Sequence, residues 1–187
     1  MHHKISAIIL AGGEGSRMNY ANKGLMEFHS KPLIASVLER LHAQVDDIVI
    51  SANRDVETFV DQFGHPVVAD RGESHGPLSG IAAAAPLCQH DLIFISACDT
   101  PYLPLDIVAI LRRGLRGEAT MVIADDKIEP LVCLATRNAV AEINPLLERG
   151  QRSVMNWLNQ VAAVPTPVTA RDHRAFYNIN RASDLDG

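Results

Sequence analysis

The amino-acid sequence predicts an α/β protein with three layers, in which helices cover both faces of a mostly parallel central sheet. Short, continuous apolar runs alternate with segments of helical periodicity through the first two-thirds of the chain. Such runs are typical of strands that are buried on both faces, and the helices between them supply the crossovers that parallel strands need. With 187 residues, 47% of them apolar and 21% charged, we expect one globular domain over residues 1–187.

The strands and helices follow from this alternation in chain order. Residues 5–11 form an apolar run that stops at two glycines, which predicts a buried first strand. Apolar positions spaced three and four apart predict a helix over 32–45, with Ser30 and Pro32 suited to its start. Further strands are predicted at 48–52, 66–69 and 92–97, and further helices at 55–63, 78–87 and 104–115.

The last third of the chain contains two more predicted strands, 120–124 and 131–135, and a mostly helical stretch over 138–161. In open α/β sheets, ligands bind beyond the carboxyl ends of the parallel strands. That rule selects the residues that directly follow the strands, which are Gly12 onward, Asn53, Asp70 and Cys98–Asp99.

Charge and cysteine content exclude several classes of protein. The formal net charge is -5, so no overall basic field attracts nucleic acid. Cys88, Cys98 and Cys133 lack Cys-x-x-Cys spacing, which argues against a disulfide framework or zinc site and favours buried thiols in a reducing compartment. No apolar run approaches the ~20 residues that span a bilayer, and no signal peptide is recognisable. We therefore expect a cytoplasmic protein without nucleic-acid or membrane partners.

The loop after the first strand has the composition of a phosphate-binding loop. Three glycines within residues 12–15 let the backbone approach a ligand and direct N–H groups at it. Arg17 adds a planar cation with bidentate reach to phosphate, and Lys23 follows as a mobile point charge. The chain lacks the Gly-Lys-Ser/Thr triplet of the Walker loop, and Met18 replaces the third glycine of the dinucleotide fingerprint. A tight turn would use the same glycines, so the loop alone leaves both interpretations open.

A carboxylate follows the predicted strand at 92–97. Asp99 stands just before a turn at Pro101. A hard oxygen ligand there suits Mg²⁺, which takes one or two carboxylates together with phosphate oxygens and waters. An aspartate that hydrogen-bonds its own turn would leave the same pattern, so both interpretations stand at this point.

Similar features follow the other strands. Asp70 ends a strand, and the glycine pair of residues 76–80 opens an Ala-rich helix, where it suits either a tight turn or close approach of a base. Asn53 follows another strand and could instead cap the next helix. Each feature has an ordinary structural explanation, but together they require coincidences at four successive strand ends.

These features also occur together in a known family. The motifs, in order, are Leu10-Ala11-Gly12-Gly13 with Arg17-Met18, Lys23-Gly24-Leu25, Lys31-Pro32-Leu33, Gly76-Pro77-Leu78-Ser79-Gly80, Cys98-Asp99-Thr100-Pro101-Tyr102 and Asn178-Ile179-Asn180. With them the chain closely resembles the molybdenum cofactor guanylyltransferases, within the larger nucleotidyltransferase group that includes sugar-nucleotide pyrophosphorylases. The resemblance runs from about Ile5 to Leu185 and implies a Rossmann-like nucleotidyltransferase fold.

The resemblance implies a reaction and its participants. The terminal phosphate of molybdopterin, with or without molybdenum, would attack the α-phosphorus of GTP, release pyrophosphate and form the guanine dinucleotide cofactor. The Leu-Ala-Gly-Gly motif favours GTP, since related cytidylyltransferases resemble Leu-Ala-Ala-Gly here. The implied roles are guanine and ribose contacts for Leu10, Ala11, Gly12 and Gly13, a nucleoside contact for Asp70, catalytic phosphate contacts for Arg17 and Lys23, and catalytic Mg²⁺ binding for Asp99. Asn53, which follows a strand, is a further nucleotide-binding candidate.

The chain departs from the family pattern in three places. Asn19 and Tyr20 stand where relatives often have glycine, and Ser51 stands where some carry a nucleotide-binding asparagine. Glu129-Pro130 replaces a His-Pro pair of some members. The candidates for molybdopterin binding are Arg149, Gln151, Arg152, Asn178 and Asn180, although a solvated helix face would also carry such arginines.

Two other functions fit the same motifs. One is a related nucleotidyltransferase that uses CTP or a sugar phosphate. The other is a non-catalytic GTP-binding partner in cofactor assembly, against which the presence of Arg17, Lys23 and Asp99 counts. Under the family interpretation, the further partners would be other cofactor-assembly proteins and the oxidoreductases that accept the product.

Overall fold

The computed structural model describes residues 4–12, 22–69, 76–169, 174–179 and 184. Seven of the described strands form a central sheet in the order β5-β4-β1-β6-β8-β7-β9, and β2 and β3 form a separate hairpin. The strands are β1 (Ile5–Leu10), β2 (Glu27–Phe28), β3 (Lys31–Pro32), β4 (Asp47–Ser51), β5 (Val67–Val68), β6 (Leu92–Ala97), β7 (Ala119–Ala124), β8 (Lys127–Thr136) and β9 (Val164–Pro167). In this described sheet β8 is antiparallel to both β6 and β7, whereas every other pairing is parallel. The prediction of a mostly parallel sheet is confirmed.

Helices cover both faces of the sheet. In the described residues they are α1 (Leu33–Leu41), α2 (Val56–Phe63), α3 (Pro77–Ala84), α4 (Ile107–Gly114), α5 (Arg137–Ala141), α6 (Ile143–Glu148) and α7 (Val154–Gln160). Helices α1, α2 and α4 pack on one face with Ile5, Ala7 and Ile9, whereas α3 and α5 to α7 pack on the other face with Ile8 and Leu10. Because β1 is buried on both faces, it reads as a continuous apolar run, and the three-layer α/β/α prediction is confirmed. Among the residues that the structure describes, no helix is long and apolar enough to cross a membrane.

The structure differs from the sequence-based assignments mainly at the β7–β9 edge of the sheet. Residues 138–161 contain three short helices, and residues 149–153 lie outside them. β9 lies outside the predicted strands because its sequence contains two prolines, which an edge strand such as this one tolerates. β8 begins before the predicted strand at 131–135, and its pairing with β7 is irregular between Met121 and Val122. This irregular, more polar first half does not give the apolar pattern of a buried strand.

The carboxyl ends of β1, β4 and β6 meet at one edge of the sheet. Backbone pairing continues past the strands, since the Ala11 amide donates to the Ser51 carbonyl at 2.8 Å and the Cys98 amide to the Leu10 carbonyl at 2.9 Å. Helix α3 packs directly against this edge, because a Cβ atom on Gly80 would lie 2.6 Å from Oγ of Ser51. The fold therefore gathers the residues that follow three separate strands at the place where α/β proteins bind ligands.

Candidate active site

An ion pair between Lys23 and Asp99 lies at this edge. The Nζ atom of Lys23 is 2.6 Å from Oδ2 of Asp99, and the two side chains are 24% and 17% exposed. The two residues are 76 positions apart in the chain. Charge-assisted hydrogen bonds of this length are among the stronger polar contacts in proteins. The fold therefore brings together the predicted phosphate-binding lysine and the predicted metal-binding carboxylate.

Thr100, rather than Asp99, holds the turn after β6. Its Oγ1 atom donates to the Ala97 carbonyl at 3.1 Å and lies 3.2 Å from Oγ of Ser96. The Oδ1 atom of Asp99 is buried and has no hydrogen-bond partner among the described residues. The two carboxylate oxygens thus differ, since Oδ2 contacts Lys23, whereas Oδ1 makes no hydrogen bond to the turn.

The unpartnered oxygen of Asp99 fits a hard divalent cation. A buried acceptor without a partner costs free energy, which a bound cation would recover. Mg²⁺ commonly takes one or two protein carboxylates and completes its shell with phosphate oxygens and waters. Within the described residues, no group of three or more His, Cys, Asp or Glu side chains could by itself hold a metal ion. The fit therefore rests on Asp99 together with a phosphate-bearing ligand.

The C-terminal segment 174–179 is attached to the turn that carries Asp99. The Ile179 amide donates to the Asp99 carbonyl at 2.9 Å, which places the half-buried Asn178 beside the site. Arg174 stacks on the Tyr102 ring, with its guanidinium carbon 4.2 Å from the ring centroid, and its Nη1 atom donates to the Tyr102 hydroxyl at 3.3 Å. Sequence reasoning missed Arg174, because no local pattern indicates an arginine–tyrosine contact over 72 positions.

Several of the residues expected to contact the nucleoside lie at or just after the ends of β1 and β4. Leu10 and Ala11 are buried, whereas Gly12 and Asn53 are exposed. A Cβ atom on Gly12 would lie 3.8 Å from Nδ2 of Asn53, so the loops after β1 and β4 adjoin. Four further predicted site residues lie outside the described residues, namely Gly13, Arg17, Asp70 and Asn180.

The remaining molybdopterin candidates divide into two groups. Arg152 is exposed, and its carbonyl oxygen would lie 3.9 Å from a Cβ atom on Gly76, which precedes α3. Arg149 and Gln151 instead face α7: Nη2 of Arg149 donates to Gln160 at 3.4 Å, and Oε1 of Gln151 accepts from Asn156 at 2.9 Å. Arg152 therefore adjoins the start of α3, whereas the other two contact the last helix.

Cys98 is adjacent to Asp99 but is not suited to act as a nucleophile. Burial raises the pKa of its thiol to about 12, and the nearby Asp99 charge acts in the same direction. Burial likewise raises the pKa of Cys133 to about 12 and that of Cys88 to about 11. All three are free and buried, which confirms the prediction of buried thiols.

Comparison with known families first defines the class. A family model described as a MobA-like NTP transferase domain matches residues 7–163. The matched span contains most of β1, all of β4 and β6, and both members of the ion pair. Fold and site together define the chain as a nucleotidyltransferase.

Individual relatives narrow this class. A molybdenum cofactor guanylyltransferase from Polynucleobacter asymbioticus is 34% identical over 189 residues, covering 97% of this chain and 94% of the relative. Another, from Mannheimia succiniciproducens, is 35% identical over 186 residues, covering 97% of each chain. The chain belongs to the molybdenum cofactor guanylyltransferase family.

Solved structures share the fold. The molybdopterin-guanine dinucleotide biosynthesis protein A from Archaeoglobus fulgidus has a TM-score of 0.81 at 22% identity, covering 97% of this chain and 95% of that chain. A nucleotidyl transferase from Methanothermobacter thermautotroptrophicus has a TM-score of 0.75 at 20% identity, covering 97% and 94%. At these identities the likeness concerns the fold alone.

Proposed function

We propose that this chain transfers GMP from GTP to the terminal phosphate of molybdopterin, forming the guanine dinucleotide cofactor and pyrophosphate. The observation that carries the proposal is the contact between Lys23 and Asp99 at the carboxyl edge of the sheet, with one carboxylate oxygen left unpartnered. It combines a cation for phosphates with a carboxylate for a metal ion, which are the two elements that nucleotidyl transfer needs. Membership in the guanylyltransferase family supports the choice of substrates.

The reaction forms one bond and breaks another at the same phosphorus atom. An anionic oxygen of the molybdopterin phosphate forms a bond to the α-phosphorus of GTP. The bond from that phosphorus to the oxygen that links it to the β-phosphorus breaks, and this oxygen leaves with pyrophosphate. Because the nucleophile is already anionic, no side chain has to remove a proton. Catalysis then depends on positioning and on compensating negative charge, rather than on a nucleophilic or basic residue.

In the proposed arrangement each side of the site has its own task. Gly12 and Asn53 would contact the nucleoside, and we assign the same role to Leu10, Ala11, Gly13 and Asp70. Lys23, with Arg17, would direct positive charge at the phosphates, as both cations suit phosphate oxygens. Asp99 would hold Mg²⁺ through Oδ1 and orient Lys23 through Oδ2. When bound, Mg²⁺ supplies positive charge to the triphosphate and fixes its orientation.

The acceptor would bind on the opposite side of the ion pair. Asn178 lies beside Asp99 through the Ile179 backbone contact, and we assign molybdopterin binding to Asn178, Asn180 and Arg152. We also propose that the whole chain acts as one domain in the cytoplasm, and that other cofactor-assembly proteins or acceptor oxidoreductases receive the product. These last assignments rest on the family and on the sequence alone.

Product analysis tests the proposal. The protein is incubated with GTP, Mg²⁺ and molybdopterin, and the product is identified by mass, with parallel reactions that lack the metal or replace GTP by CTP. The expected product is the guanine dinucleotide together with an equal amount of pyrophosphate. A cytidine product would assign the chain to a different specificity. GTP binding without pyrophosphate release would instead make it a non-catalytic partner.

A further inference from the structure

Asn22 fixes the start of the turn that carries Lys23. This turn is a short 3-10 helix, Lys23–Leu25, and Asn22 is the residue that caps it. Its Oδ1 atom accepts a hydrogen bond from the Gly24 amide at 3.3 Å. Its Nδ2 atom donates to the Arg54 carbonyl at 3.3 Å and to Oδ2 of Asp55 at 3.1 Å. One amide side chain therefore contacts both its own turn and the loop that follows β4.

The loop that Asn22 contacts follows β4 and carries Asn53, which we assign to nucleoside binding. Arg54 and Asp55 directly follow Asn53, and Asp55 precedes helix α2 with a left-handed backbone (φ 52°). The Asp55 side chain makes no capping hydrogen bond to α2, and its carboxylate instead accepts from Asn22. Residues other than glycine seldom adopt this conformation, and the hydrogen bond from Asn22 helps to hold Asp55 in it.

Packing against α2 supports the same attachment. Gly24 is buried, and a Cβ atom there would lie 3.1 Å from Cζ of Phe59, which is fully buried in α2. The backbone of the Lys23 turn therefore lies directly on this helix. Even a methyl group at residue 24 would require the Phe59 ring or the turn to shift by a few tenths of an ångström.

We propose that Asn22 is a positioning residue that couples the nucleoside-binding loop after β4 to the phosphate-binding Lys23. The inference rests on the proposed function, which assigns the phosphates to Lys23. Lysine has a flexible four-carbon side chain, so its reach to a phosphate depends on where its backbone is held. An error of about 1 Å in such a position can reduce the rate on the order of 10²-fold.

The chemistry of the contact allows a direct exchange of partners. Asn22→Asp still accepts from the Gly24 amide, but it cannot donate to Arg54 or Asp55, and it places two carboxylates side by side. Asp55→Asn alone keeps an acceptor for Asn22. In the double variant Asn22→Asp/Asp55→Asn, the new amide at residue 55 can donate to the new carboxylate at residue 22. Asn138→Asp controls for added charge, because Asn138 is exposed and follows the C-terminal end of β8, at the edge of the sheet away from Asp99.

The experiment compares binding of Mg²⁺-GTP and of guanosine, which lacks phosphates, together with kcat and KM for the parent and each variant. We expect Asn22→Asp to weaken Mg²⁺-GTP binding and to lower kcat/KM by about 10–100-fold, and guanosine binding to change by less than about twofold. Asn138→Asp should match the parent, Asp55→Asn should lose less than Asn22→Asp, and the double variant should recover part of the loss.

Two results would overturn the inference. One is a variant Asn22→Asp with parental GTP binding and turnover, and the other is an equal loss for GTP and guanosine that the double variant does not restore. If Asn22→Asp does not fold, Asn22→Ala, which adds no charge, takes its place and should give about a tenfold loss for GTP alone. A parent that binds GTP no more tightly than guanosine contradicts the proposed role of Lys23 itself. That outcome is separate from every result with the variants, because it concerns the parent protein alone.

Discussion

Nζ of Lys23 and Oδ2 of Asp99 lie 2.6 Å apart, so each of the two charges compensates the other. A triphosphate would attract the ammonium group, and a metal ion would attract the carboxylate. Under the proposed roles the metal would bind Oδ1 of Asp99, so that Oδ2 could still orient the ammonium group of Lys23 toward the phosphates. The pair adds little to the free energy of unfolding, since such partly exposed ion pairs contribute about 1 kcal/mol or less.

Lys23→Ala should reduce turnover on the order of 10²-fold or more, the size seen when one electrostatic donor to the transition state is lost. The thermal midpoint should change by only a few degrees, because the pair is partly exposed. Steady-state kinetics and melting curves measure the two effects. Lys4→Ala, an exposed lysine just before β1 at the opposite edge of the sheet, is the matched control and should be fully active. Normal turnover in Lys23→Ala would assign this lysine a structural role.

The protein should prefer GTP over CTP by at least ~100-fold in kcat/KM, equivalent to about 2.7 kcal/mol. A site that hydrogen-bonds one base edge leaves buried polar groups unpaired when the wrong base binds. Turnover measured with GTP, CTP, ATP and UTP under the same conditions tests this preference. Equal use of CTP would contradict the base assignment and leave the fold assignment unaffected.

The site can be located from the sequence because its residues follow strands whose apolar pattern is strong. β1 and β6 are buried and regular, so the apolar pattern by itself places Gly12 and Asp99 at one edge of the sheet. The hairpin of β2 and β3 is less visible, since its turn residues His29 and Ser30 adopt positive φ without a glycine to indicate it. The role of Asn22 has no sequence signal, because its capping contacts depend on partners 32 and 33 positions away.

Gly80→Ala should lower the free energy of unfolding by about 1 kcal/mol, since overpacking costs about 1–3 kcal/mol and the higher helix propensity of alanine offsets up to about 1 kcal/mol of it. The added methyl group would lie 2.6 Å from Oγ of Ser51 and 3.1 Å from Cδ2 of Leu10. Denaturant unfolding measures the loss. The double variant Gly80→Ala/Ser51→Ala removes the closer of these contacts and should recover part of the stability. No recovery would mean that Ser51 is not the limiting neighbour.

The stability of the protein should fall in mild acid partly through His65. The pKa of His65 lies below its usual value of 6.5, mainly because the side chain is partly buried and to a smaller extent because of the nearby His42. The unfolded chain takes up a proton below pH 6.5, whereas the folded chain resists it, so the stability contributed by neutral His65 is present above that pH and is lost as the pH falls. His65→Gln should therefore show a smaller loss of thermal midpoint between about pH 7 and about pH 5. An unchanged pH profile would exclude this histidine as a source.

Asp99→Asn separates a metal ligand from a turn residue, since the two roles predict opposite results. The substitution keeps the size of the side chain but removes the charge that a hard cation needs. Because Thr100 holds the turn, the thermal midpoint without ligand should stay within a few degrees of the parent. The parent should gain about 2.7 kcal/mol from Mg²⁺ plus GTP at a hundredfold excess over the dissociation constant.

The variant should lose most of that ligand-dependent gain, and its turnover should collapse. Asp106→Asn, an exposed aspartate just before α4 that makes no side-chain cap, is the matched control and should retain both the gain and the activity. A turn role would reverse the result, with stability lower by ~1 kcal/mol before ligand is added and the Mg²⁺-dependent gain intact. Melting curves of the parent and both variants, with and without Mg²⁺ and GTP, distinguish the two roles. Since Oδ1 of Asp99 is buried without a partner among the described residues, the structure favours the first outcome, and an unaltered Mg²⁺-dependent shift in Asp99→Asn would remove this residue from the site.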